Sequence, residues 1–182
     1  MPGPKVRAAL AAALLLLGAA TPALAERDQP STPQERARAV RLTRQLEADP
    51  LGQDAAGAQR WLVGWIQEVP DLTVTACDLL QLPDEQYAYA PQLVVQMMAG
   101  NAAFQIEHPD QAANETAVQG AALKSALKAY SAIVKRKPAA RLDSLDQLVA
   151  EMKEGKLDRH MKALVAERCE SQQQDRNGPD VI

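Results

Sequence analysis

Residues Asp54–Pro70 read DAAGAQRWLVGWIQEVP. Ala58, Leu62, Trp65, Ile66 and Val69 fall at i, i+4, i+7, i+8 and i+11, which gathers them on one face of a helix of 3.6 residues per turn. Asp54 stands where an N-cap belongs, and Pro70 ends the run because it lacks an N–H and crowds the preceding residue out of the helical region. Trp61 and Gly64 lie at the margin of that face, where a glycine would let another helix approach.

The same logic extends in both directions. Upstream, Thr32, Pro33 and Glu35 form an N-cap, N1 and N3 signature that opens a helix carrying Ala39, Leu42 and Leu46 on its apolar stripe. Asp49-Pro50 closes it, and Arg36, Arg38, Arg41 and Arg44 read as a solvated face. Downstream, Pro91–Glu107 carries Leu93, Val94, Met97, Met98, Phe104 and Ile106, an arc broad enough for a central, mostly buried helix. A fourth helix runs from Asp110 or Asn114 to Lys137, with Leu123, Leu127, Tyr130 and Val134 inward. On it Ala113, Ala117, Gly120 and Ala121 make a small-residue face for a close neighbour. Leu145, Leu148, Val149 and Met152 define a fifth helix, capped by Asp143 or Ser144 and ended by Gly155. Leu157, Met161, Leu164 and Val165 define a sixth, ending near Cys169.

Residues 72–77 are ambiguous. Leu72, Val74 and Ala76 alternate with threonines as in a strand, but no other stretch alternates over a comparable length to pair with it. A short helix capped by Asp71 is the preferred reading. Pro-Asp punctuates the chain at residues 70, 83 and 109 without a fixed period, so a solenoid is not indicated. The expected fold is all-α: one Ala-rich domain of five to six packed helices over residues 33–169. A flexible leader (26–32) precedes it and a disordered tail (170–182) follows.

The N-terminus reads differently. Lys5 and Arg7 precede an apolar run from Ala8 to Ala20, and Ala23 and Ala25 occupy the small-residue positions of a cleavage site. The run is too short to span a bilayer as a helix. Residues 1–25 therefore read as a signal peptide cleaved after Ala25, implying a periplasmic or secreted protein with no integral membrane span in the mature chain. Removing them leaves 157 residues with 18 basic and 23 acidic side chains, an acidic balance that argues against nucleic-acid binding. Leu, Ile, Val and Phe supply only about a fifth of the mature chain, near the edge where disorder begins. Twenty-five alanines on periodic helices favour a folded domain instead.

Two cysteines exist, Cys77 and Cys169, both in the exported portion. In an oxidising compartment an even count favours a disulfide. The alternative is two separately buried thiols. No C-x-x-C, H-E-x-x-H, G-x-S-x-G or glycine-rich phosphate loop occurs. His108 falls at a helix end and His160 on an amphipathic helix, so neither suggests a metal ligand, and Asp143 and Asp146 suit a helix's first turn. No catalytic residue, cofactor or metal is indicated. Trp61, with Tyr87 and Tyr89, is the candidate partner surface, since Trp and Tyr are enriched where proteins bind. An apolar groove near Met97 and Met98 is a further candidate.

Several stretches resemble uncharacterised bacterial exported proteins. They are Leu46–Pro50, Trp61-Leu62 with Trp65-Ile66, Val69–Asp71 followed by Val74 and Cys77, Gln96–Phe104, and the closing Cys169. The likeness spans residues 33–169. It implies a periplasmic or secreted helical protein and brings no activity and no site residues. The combined expectation is a non-enzymatic interaction or structural module with an unknown protein partner. Its alternatives are a chaperone-like or hydrophobic-ligand-binding protein and, further off, an enzyme with a scattered site.

Overall fold

The computed structural model describes residues 27–75, 77–83 and 87–176, the last seven as backbone. The expected signal peptide and its cleavage position, Ala76, residues 84–86 and residues 177–182 of the expected tail lie outside those residues. Six α-helices follow in order: α1 Pro33–Ala48, α2 Ala55–Glu68, α3 Ala90–Glu107, α4 Glu115–Arg136, α5 Asp143–Lys153 and α6 Leu157–Arg176. Short 3-10 turns at Pro109–Gln111 and Pro138–Ala140 flank α4. The described chain is 72% helical and contains no strand, a single packed helical domain as the periodicity predicts.

Local chemistry sets the boundaries. At α1 the capping box is complete: the Thr32 hydroxyl accepts from the Glu35 N–H, and the Glu35 carboxylate accepts from the Thr32 N–H. Asn114 caps α4 through the Ala117 N–H. Asp54 holds the cap position of α2, but its side chain makes no capping bond. Neither expected residue caps α5, because Leu142 occupies that position and Asp143 already lies in the first turn. A tertiary contact replaces the missing local cap. The Tyr130 hydroxyl accepts from the Leu142 N–H at 2.8 Å and approaches the Asp146 carboxylate at 2.9 Å. Gly155 follows α5 at φ +65°, a conformation glycine adopts without strain.

Two apolar clusters share α3 as their boundary. One joins α1, α2 and α3 through Leu46, Leu62, Trp65, Ala99 and Ala102. The other joins α3 to α4, α5 and α6 through Leu93, Met97, Leu127, Leu145 and Met161. The α3–α4 pairing is the most extensive in the molecule. It is close because small residues meet there. A Cβ built on Gly100 would lie 2.5 Å from the Ser125 Cβ and 3.2 Å from the Ala122 Cα. Ala122, Ser125, Ala126 and Ala129, at i, i+3, i+4 and i+7, are almost wholly buried on that face.

Several expectations change here. The buried face of α3 is built largely from Ala99, Gly100, Asn101, Ala102 and Ala103. Phe104 and Ile106 are only half-buried, and Val94 is 46% exposed. The close-packing small face of α4 is not Ala113, Ala117 and Ala121: Ala113 is exposed and the other two are half-buried. A Cβ built on Gly64 would meet nothing within 4 Å, so no helix packs closely there. Residues 72–75 and 77 form neither helix nor strand. β-branched Thr73, Val74 and Thr75 weaken a helix, and side-chain amides take the role of a partner strand. The Gln105 amide donates to the Thr73 carbonyl at 2.9 Å, and the Gln119 amide donates to that of Thr75 at 3.0 Å.

The ends differ too. Arg27–Thr32, expected as a flexible leader, is docked: Ser31 is buried, and its N–H and hydroxyl bond Asp71 at 2.8 and 2.7 Å. Helix α6 continues past Cys169 to Arg176, because residues 170–176 contain no glycine or proline to stop it.

Candidate functional site

A cleft of about 500 Å³ lies beside α4. Its floor is Ala117, Gly120 and Ala121, with Phe104 of α3 and Met161 of α6 as apolar walls. Small residues leave this part of α4 recessed between its neighbours, which is the outcome of the face expected to pack closely. Gly120 alone is covered, by the Met161 side chain 3.5 Å from where its Cβ would stand.

Charged side chains rim the cleft. Lys124 pairs with Asp158 of α6 at 2.5 Å, and Lys128 with Glu47 of α1 at 3.1 Å. Glu47 is the hub of this rim and is only 9% exposed. Its carboxylate accepts from Arg44 at 2.6 Å and from the Ser125 hydroxyl at 2.8 Å. The Gln96 amide donates both to the Ser125 oxygen at 2.8 Å and to the Thr43 carbonyl at 3.2 Å. A buried carboxylate is tolerated only with such partners. The network therefore locks α1, α3 and α4 in register beneath the cleft. Thr116 is the one hydroxyl side chain in the lining, and no histidine or cysteine lines it. The arrangement offers shape, hydrogen bonds and salt bridges, the means of binding.

The remaining sequence-predicted residues are dispersed. Trp61 is half-buried on the α1–α2 side, stacked on Trp65 at 5.6 Å and covered by the Arg38 guanidinium at 4.2 Å. Tyr87 belongs to the other cluster and is buried, its hydroxyl donating to the Ala140 carbonyl at 2.9 Å. Burial there pushes its pKa up to about 12. Tyr89 packs edge-on against Tyr87 at 5.7 Å. The structure thus pairs the tyrosines and separates them from the tryptophan. Met97 and Met98 likewise fall in different clusters, so they do not line a common groove. His108 packs on Phe104 at 4.7 Å, and His160 is exposed beside Glu151 at 3.3 Å.

The arginines expected to be solvated are more engaged. Arg44 bridges Glu47 and Glu107, and Arg36 bonds Asp71. Burial would raise the Asp71 pKa, but the Ser31 N–H and hydroxyl and the Arg36 guanidinium outweigh it and hold it at about 2. The Arg27 guanidinium and the Thr32 capping bonds bring Glu35 to about 2 as well.

Cys77 and Cys169 form a disulfide, with Cα atoms 5.0 Å apart and a sequence separation of 92. It ties Cys77, ahead of α3, to α6. Sequence reasoning missed Glu47 and Ser125. Their signal was a glutamate on the apolar stripe beside Leu46 and a serine within an otherwise alanine face. Comparison of the chain with known protein families, with curated proteins and with solved structures finds no match.

Proposed function

We propose that the protein is an exported helical module that acts by protein contacts in the periplasm or outside the cell, without catalysing a reaction. The observation that carries this reading is the α4 cleft: a small-residue floor between apolar walls, with salt-bridged rims able to exchange partners. Such a trough suits a protruding side chain or helix edge of a protein partner better than a reactive small molecule. The disulfide fits an oxidising compartment, and among the described residues no helix is long and apolar enough to cross a membrane.

A photo-crosslinking side chain placed at Ala121, in the floor, tests the proposal in cells. The expected result is a discrete covalent adduct with one protein, absent when the same group replaces exposed Lys153 on α5. No adduct at position 121, or the same pattern from both positions, overturns the assignment.

A further inference from the structure

The disulfide has a third chemical neighbour. Glu115, the first residue of α4, is exposed and brings a carboxylate oxygen to within 4.8 Å of both sulfur atoms. Its carboxylate has no hydrogen-bond or ion-pair partner among the described residues. Asp71, the other carboxylate lining the adjoining cleft of about 440 Å³, is already held by Ser31 and Arg36. Glu115 is the acid left open beside the sulfurs.

We infer that in the reduced protein Cys77, Cys169 and Glu115 form a binding site for zinc or a similar thiophilic divalent cation, with water from that cleft as fourth ligand. Two thiolates on a tetrahedral zinc stand about 3.8 Å apart, given a Zn–S bond of about 2.3 Å. Once the bond is broken the sulfurs must move apart to that separation, a side-chain rotation between Cα atoms 5.0 Å apart, while the Glu115 oxygen already lies within 4.8 Å of both. Two thiolates with one carboxylate suit a borderline-soft cation. Both cysteines are held in place independently of their bond. The segment leading to Cys77 is pinned where the Thr75 carbonyl accepts from Gln119, and α6 is anchored by buried Leu157, Met161 and Val165.

The site and the disulfide are mutually exclusive. A dithiol reductant delivers two electrons and two protons to the S–S bond, releasing two thiols and becoming a disulfide itself. Binding of the cation then expels both thiol protons. This inference is separate from the α4 cleft and does not depend on what that cleft binds.

Cobalt(II) is the probe. The full mature chain is reduced with a phosphine, freed of excess reductant and titrated anaerobically. The expected result is one cobalt per chain with a thiolate-to-cobalt charge-transfer band and tetrahedral d–d bands, both bleached by zinc and both missing in oxidised protein. Glu115→Gln should weaken cobalt by at least about tenfold, and circular dichroism should show the variant folded. Absence of these bands from the reduced chain, a half-stoichiometric complex, or unchanged affinity in E115Q overturns the inference. If reduction lowers helicity, cobalt must restore it, since the ion would replace the lost crosslink; bands without that recovery also overturn the site.

Discussion

Replacing Gly100 with alanine should destabilise the protein although it improves helix propensity. The added Cβ would stand 2.5 Å from the Ser125 Cβ, 2.9 Å from its Oγ and 3.2 Å from the Ala122 Cα. Neither Cβ nor backbone can rotate away, so α3 and α4 must separate. Overpacking of this kind costs ~1–3 kcal/mol. Movement of Ser125 also strains its bonds to Gln96 and Glu47, which adds ~1–3 kcal/mol because all three groups are buried. Alanine returns ~1 kcal/mol of intrinsic preference. The net loss is about 1–5 kcal/mol, a lowering of the melting temperature on the order of 2–20 °C for a chain of this size. Thermal and urea unfolding followed by circular dichroism read this directly. The double variant G100A/S125G removes the clashing pair, so its loss should be smaller than the sum of the two single losses. A G100A protein as stable as the parent, or more stable, would show that α3 and α4 do not cross at this spacing.

Cys77→Ser with Cys169→Ser should lower the unfolding free energy by about 4–5 kcal/mol in the chain-entropy model for so long a loop; an unchanged urea midpoint would count against the crosslink. Tyr87→Phe leaves the Ala140 carbonyl without its donor and should cost about 1–2 kcal/mol, measured by the same unfolding curves, with no effect meaning that the bond is not made. Asp71, held at about 2 against an ordinary 3.8, contributes stability that is fully present above about pH 4 and is lost as pH falls toward 2. Asp71→Asn should flatten the acid limb of a stability–pH profile, leaving the like-signed share from Glu35, whereas an unaltered limb would remove Asp71 from that role.

The helices were legible because their signals are local. The capping box at Thr32, the proline stops and the apolar spacing in α2 each act within one or two turns. What the pattern could not show was which alanine face meets which neighbour. Ala117/Ala121 and Ala122/Ala126 are both regular on α4, and the choice falls to the face opposite Gly100, a contact made across the fold. The stretch 72–75 escapes the pattern for a related reason. The Thr73 and Thr75 carbonyls accept from the amides of Gln105 and Gln119, which are remote in sequence, so the stretch needs neither a helix nor a second strand. The α4 cleft was hidden likewise, being bounded by Glu47, Phe104 and Met161 from three other helices. The partner surface read from Trp61, Tyr87 and Tyr89 rested on residue type alone, and packing places those side chains in separate clusters.

Intact-mass spectrometry after thiol alkylation, on protein recovered from its native compartment, tests most directly whether this is an exported domain closed by one disulfide. The expected species is the 157-residue chain beginning at Glu26, unmodified without reductant and doubly alkylated after reduction. A 182-residue chain carrying two alkyl groups without reductant would contradict it.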